Sequence, residues 1–120
     1  KTSVSDFEHA FYQGIFDTFV ATIDDRVIGM CLYYMTFSTW RGKCIYLEDF
    51  YVLPEFRRTG IGQQLFDRFI DESKKLGATM VKWQIIDFND PALAFYRKNH
   101  ATIETNWWNG KLFFDKNGLD

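Results

Sequence analysis

Arg57-Arg58-Thr59-Gly60-Ile61-Gly62, preceded by Ile45-Tyr46-Leu47-Glu48-Asp49-Phe50-Tyr51-Val52-Leu53 and the Pro54-Glu55-Phe56 break, decides how the rest of the chain is read. The apolar run before Pro54 is a strand, and the proline stops it. From Gly60 onward Ile61, Leu65, Phe66, Phe69, Ile70, Ser73 and Leu76 recur at helical spacing, which predicts an amphipathic helix that ends at Gly77. The hexapeptide is therefore a strand-to-helix turn. Two glycines two apart at a helix start expose backbone N–H groups, and the helix dipole adds positive potential, so the turn suits a di- or triphosphate. Arg57 and Arg58 strengthen that preference. Glycines also simply end strands and start helices, so the turn gains its meaning from its neighbours. It lacks the third glycine of a dinucleotide fingerprint and the Lys-Ser/Thr of a P-loop.

Outward from this turn, Ser3 or Ser5 can cap a short helix over Asp6 to Tyr12 that Gly14 would end. Ile15 to Ile23 and Arg26 to Phe37 form a hairpin about Asp24-Asp25. Ser38 to Lys43, with Trp40, is a loop into the strand Cys44 to Leu53, whose long apolar character implies burial on both faces and a central place. After the long helix, Ala78 to Ile86 reads as a strand. Asn89-Asp90-Pro91 then starts a short helix over Ala92 to Lys98. Thr102 to Asn106 and Lys111 to Phe114 read as closing strands. The order is that of an α+β, or mixed α/β, sheet covered by helices.

The 120 residues suit one domain, 1–120, and 47% apolar residues supply a sizeable core. A net charge of −2 argues against a nucleic-acid partner and weakly favours a small cationic one. No apolar run approaches a membrane span. Two cysteines, Cys31 and Cys44, are too few for a disulfide scaffold and read as buried hydrophobes in a reduced, cytoplasmic protein, with no metal site. The chain opens at Lys1 and reads as a fragment or processed product.

Taken together, Arg57-x-x-Gly60-x-Gly62, the Ile45–Val52 strand, Asn89-Asp90-Pro91-Ala92 and Phe95-Tyr96 resemble the GNAT superfamily of N-acetyltransferases, in particular its diamine and spermidine/spermine branch. The resemblance runs from about Phe16 to Phe114. It implies a GNAT fold with a mostly antiparallel sheet splayed at the cofactor site, and acetyl-CoA as co-substrate without a metal. The pantetheine arm would pair with Phe50, Tyr51 and Val52 in the manner of strand addition. Arg57, Arg58, Thr59, Gly60, Ile61, Gly62 and Gln63 would form the pyrophosphate turn, with Asn89, Ala92 and Tyr96 on the far side of the cofactor. Tyr96 matches the general acid that protonates the departing thiolate, and Glu48 the residue that contacts the acceptor amine and relays its proton. An alkylammonium of pKa near 10.4 must lose a proton before it can attack. Asp49 would attract a second positive charge or make a structural salt bridge, and Trp40 matches the loop tryptophan at the substrate. No cysteine is placed for a covalent intermediate, so direct attack in a ternary complex is expected.

Ser38 stands where the polyamine branch often has an acidic residue, and Trp107-Trp108-Asn109-Gly110 where it has Glu-Gly-Trp, which puts polyamine specificity in question. The aromatic pair could enclose an ammonium or serve as core. His100 replaces a usual glycine, so a left-handed backbone is expected there. The family's first strand and helix have no counterpart here. A small polyamine- or diamine-like amine is the expected acceptor and a homodimer the expected assembly. The alternatives are a lysine-like, thialysine-like or protein amine, or an acyl-CoA-binding module without turnover.

Overall fold

In the computed structural model, which describes residues 2–115 and 118–119, the chain groups into two compact units, Lys1–Gln84 and Ile85–Asp120. The first unit holds α1 (Val4–Tyr12), β1 (Asp17–Ile23), β2 (Arg26–Ser38), β3 (Gly42–Val52), a 3-10 turn (Pro54–Phe56), α2 (Ile61–Lys75) and β4 (Met80–Lys82). Its sheet has the order β1-β2-β3-β4; the first two pairings are antiparallel and β3–β4 is parallel. The second unit holds α3 (Asp90–Lys98) and a two-residue ladder of β5 (Phe114–Asp115) with β6 (Gly118–Leu119).

Local chemistry sets the boundaries. Ser3, rather than Ser5, caps α1: its hydroxyl accepts from the Asp6 N–H while the Asp6 carboxylate accepts from the Ser3 N–H, each at 3.1 Å. Asp24 and Asp25 carry φ of 49° and 64°, the two left-handed positions that a two-residue hairpin turn requires. All three helices end alike. The N–H groups of Gly14 and Ile15, of Gly77 and Ala78, and of His100 and Ala101 fold back onto the last-turn carbonyls of α1, α2 and α3. His100 takes the left-handed position, φ 67°, as expected from its place after the Phe-Tyr helix.

The core lies between α2 and one face of the sheet. Phe69, fully buried, has its ring 5.5 Å from that of Tyr33 and 6.2 Å from that of Phe66. Ile45, Leu47, Leu65 and Cys31 are buried with it; Ile28 and Cys44 are buried too, Cys44 on the face opposite Ile45, and both cysteines are free thiols. Burial pushes the Cys31 thiol up to about 12, so it holds its proton at neutral pH and behaves as a hydrophobe. The seam is closest at Gly29, where an added Cβ would lie 3.0 Å from Leu65 Cδ1 and 3.2 Å from the Tyr51 carbonyl oxygen.

Four expectations are corrected. The strand read over Ala78 to Ile86 shrinks to Met80–Lys82, because β4 finds ladder partners only at Cys44, Ile45 and Tyr46. Residues 102–113 hold no strand, so the strand expected from Thr102 to Asn106 is absent and that from Lys111 to Phe114 is reduced to Phe114–Asp115 paired with Gly118–Leu119. β-propensity reports fit to a half-buried ladder, and Leu112 and Phe113 are 77% and 70% exposed. The two-faced burial expected along Cys44 to Leu53 holds at Cys44, Ile45 and Leu47 and fails at Glu48, Asp49 and Tyr51.

Gly29→Ala is expected to destabilise the protein by about 1–3 kcal/mol, read as a lower urea midpoint, since neither a backbone oxygen nor a packed leucine can yield cheaply.

Candidate active site

The site starts from one irregularity in the β2–β3 ladder. Tyr33 pairs with Leu47 and Leu32 with Asp49, so Glu48 is an extra residue, a β-bulge. In a regular strand Glu48 and Asp49 would point to opposite faces. The bulge instead lets both carboxylates line one groove, and it moves Phe50 and Val52 onto the face that carries α2. Phe50 there meets the Phe66 ring at 6.0 Å, and Val52 reaches Gly29 and Gly62.

The groove, about 350 Å³, lies beside α1 and is lined by Asp6, Phe7, Phe16, Tyr34, Glu48 and Asp49 among others. Its charged groups are all acidic and its walls are aromatic and aliphatic, a combination suited to an ammonium and its alkyl stem. Glu48 is held within it: the Tyr34 hydroxyl donates to Glu48 Oε1 at 2.7 Å. Tyr34 stacks on Tyr46, directly across the ladder, with ring centres 5.4 Å apart. Burial, followed by the hydrogen bond to Glu48 and its charge, raises the Tyr34 phenol above its ordinary value. Burial and then the Glu48 charge do the same to Tyr46. Both phenols therefore remain protonated at neutral pH.

Next to the groove the sheet opens. The β3–β4 ladder ends at Tyr46, so Phe50, Tyr51 and Val52 continue without β4 beside them. The turn that follows is braced by Arg57, whose Nε donates to the Val52 carbonyl at 2.9 Å and whose guanidinium lies 5.2 Å from the Tyr51 ring centre. Arg58 adopts φ 64° and Gly60 φ 90°, and the Thr59 hydroxyl donates to the Phe56 carbonyl at 2.5 Å. Gly60 is the N-cap of α2 and brings no side chain to the first-turn N–H groups, which begin with Ile61 and Gly62. An added Cβ at Gly60 would meet nothing within 4 Å, whereas at Gly62 it would touch Phe50 and Val52 at 3.8 Å. Gly60 is thus required by its backbone angle, and Gly62 keeps the surface of the turn low. Gln63 donates to Asp67 Oδ1 at 2.9 Å.

The other expected residues sit elsewhere. In the second unit the Asn89 side chain caps α3 by accepting from the Ala92 N–H at 3.3 Å, so that pair holds the helix start together. Tyr96, on α3, is 8% exposed and packs edge-on against Phe95. Trp40 is 93% exposed at the tip of the β2–β3 connection, about 20 Å along the strand from Glu48 at the rise of an extended chain. Sequence reasoning missed Tyr34, Asp6, Phe7 and Phe16. Only Tyr34 carried a signal, its place in the strand expected to pair with the one bearing Glu48. Among the described residues no cluster of His, Cys, Asp and Glu could hold a metal, and no helix is long and apolar enough to cross a membrane.

A strand opened beside a bulge, followed by a glycine turn at a helix N-terminus, defines an acyl-CoA N-acyltransferase type of fold. The chain belongs to the Acetyltransferase (GNAT) family, whose profile matches residues 3–101 and runs through both units. It is 35% identical over 78 residues to a thialysine N-epsilon-acetyltransferase of Caenorhabditis elegans, covering 65% of this chain and 49% of that one. It is 26% identical over 103 residues to spermidine/spermine N(1)-acetyltransferase-like protein 1 of Homo sapiens, covering 78% and 15%. The chain thus spans about half or less of these relatives. Among solved structures, an aminoglycoside acetyltransferase from an uncultured soil metagenomic sample superposes with a TM-score of 0.81 at 22% identity, over 96% of this chain and 76% of that one, a likeness of fold.

Gly60→Ala is expected to cost about 1–2 kcal/mol, the penalty of a left-handed backbone on an L-residue with a side chain. Gly62→Ala should stay within about 1 kcal/mol of wild type in the same denaturant titration, since its new contacts are ordinary ones.

Proposed function

We infer that the protein transfers an acetyl group from acetyl-CoA to the primary amine of a small cationic substrate. The observation that carries this reading is the bulge that sets Glu48 and Asp49 in one aromatic-walled groove beside the opened end of β3.

The residues present fit the co-substrate. Its pyrophosphate is an anion of the kind a helix N-terminus holds, and Arg58 through Gln63 form that terminus without a capping side chain. Its pantetheine arm carries amide groups that would pair with Phe50, Tyr51 and Val52 where β3 has left β4, while Arg57 keeps the end of that strand in place. When bound, acetyl-CoA supplies an acetyl thioester activated toward amines. Glu48 would take the ammonium proton, directly or through water, and so release the lone pair for attack. Asp49 would hold a second positive charge of the substrate. A main-chain N–H of β3 would donate to the thioester carbonyl oxygen. Tyr96 would give its phenolic proton to the leaving sulfur, which balances the proton taken at Glu48. Asn89 and Ala92 would shape the start of the helix that carries Tyr96. Both thiols, Cys31 and Cys44, are buried away from the groove surface, which supports direct attack over a covalent intermediate.

For the acceptor, a diamine or short polyamine suits two adjacent carboxylates. A lysine-like or thialysine-like amine is the second reading, favoured by the likeness to the thialysine N-epsilon-acetyltransferase at 35% identity. Trp40, exposed at the far end of β3, would reach such a substrate only by movement or from another copy. Trp107 and Trp108, 77% and 98% exposed, would suit the surface of a homodimer. Two buried free thiols fit a reducing, cytoplasmic setting.

Free-thiol release should be measured with a panel of diamines, polyamines, lysine, thialysine and lysine peptides. Release with one small-amine class supports the reading and names the substrate, whereas acetyl-CoA binding without release for any amine would leave an acyl-CoA-binding module. In the active pairing, Tyr96→Phe should lower kcat by at least roughly a hundredfold with acetyl-CoA affinity nearly unchanged. Unchanged turnover would remove Tyr96 from the chemistry.

A further inference from the structure

Glu48 lies on a bulge, the least constrained backbone of β3, and its side chain is exposed, so the backbone alone does not aim the carboxylate. A flexible glutamate free to turn into water would meet the amine in only a fraction of its rotamers. The structure supplies a clamp from the neighbouring strand. The Tyr34 hydroxyl donates to Glu48 Oε1 at 2.7 Å, a charge-assisted bond of the short kind. Tyr34 cannot easily swing away, because its ring is stacked on Tyr46 at 5.4 Å with the planes 25° apart.

We propose that Tyr34 is the positioning residue for Glu48: its hydroxyl fixes Oε1, so that Oε2 is presented to the acceptor amine in the groove. The proposal rests on the acetyl-transfer reading above and gives Tyr34, which lines the groove, a role that acts through Glu48. Tyr34 keeps its proton at neutral pH, since burial and the Glu48 charge both oppose its ionisation, and a phenol that keeps its proton is a permanent donor. The other charged or titratable groups around this carboxylate are Tyr46 and Asp49 on β3 and Asp6 from α1, none of which carries a positive charge that would replace the phenol as clamp. The division of labour is specific: Glu48 moves the proton, Tyr34 sets where it is taken, and Tyr46 holds Tyr34.

The test is a double-mutant cycle on the full chain. Tyr34→Phe, which keeps the stacked ring, should lower kcat/KM for the amine by roughly tenfold, with KM for acetyl-CoA within about twofold. In a Glu48→Gln background the same change should cost little further, because a residue acting through Glu48 has nothing left to position. Independent, multiplying losses, or full activity in Tyr34→Phe, would overturn the proposal. Absorbance titration of the tyrosines reads the contact without turnover: Glu48→Gln should move phenol ionisation to lower pH, by an amount largely abolished when Tyr34 is already Phe. An unmoved titration curve would also overturn the proposal. A wild-type protein that releases no thiol with any amine would defeat the acetyl-transfer reading and this role together, while a titration shift in that protein would show that the contact itself exists.

Discussion

The extra residue at Glu48 is the constraint on which the rest of the site depends. Strand side chains alternate, so consecutive acidic residues in a regular strand are separated by the whole sheet. Inserting one unpaired residue between the Tyr33–Leu47 and Leu32–Asp49 pairs breaks that alternation once. On one side of the break, Ile45 and Leu47 pack in the core. On the other, Phe50 and Val52 do so, each one residue later than regular alternation from Leu47 would place a core residue. The hydrophobic pattern is thereby kept while two carboxylates share one groove, which is how a charged pair survives in an otherwise apolar strand.

The bulge is tolerated because its surroundings are well packed. On the α2 side Phe69, Phe66 and Tyr33 form a connected aromatic core, and Gly29 lets the helix approach β2 to within van der Waals contact. Thr18 donates its hydroxyl to the Cys31 carbonyl at 2.8 Å, and Arg68 lies 5.3 Å from the centre of the Phe19 ring, so the β1 edge is tied to both β2 and α2. Against that frame β3 can part from β4 after Tyr46 without loss of the sheet, leaving the stretch that the cofactor reading requires. Arg57 then fixes the end of the strand to the turn that starts α2.

Charge and polarity follow the same division. The groove has acidic and phenolic groups and aromatic walls, suited to a cation. The turn at Gly60 has main-chain donors and Arg58, suited to an anion. A group-transfer enzyme with an anionic donor and a cationic acceptor needs these two fields kept apart, and under the proposed function β3 would serve both.

Much of this was legible in the sequence, for local reasons. The helix over Ile61–Lys75 follows from apolar spacing, the helix ends from Gly14, Gly77 and the left-handed His100, the hairpin from Asp24-Asp25, and the phosphate-suited turn from Gly60-Ile61-Gly62, because each is specified by residues within one or two turns of chain. Where pairing between distant segments decides the outcome, the sequence was silent or misleading. The strand over residues 78–86 was cut to three residues by the opening of the sheet, and apolar residues near 102–113 formed no strand because propensity does not supply a partner. The adjacency of Glu48 and Asp49 was visible, but their shared orientation was not, since a bulge is a property of the register between two strands. Tyr34 likewise meets Glu48 only through that register, across fourteen residues of chain. The sequence by itself determined the family and the chemistry of its parts; the β2–β3 ladder decided which of those parts face one another.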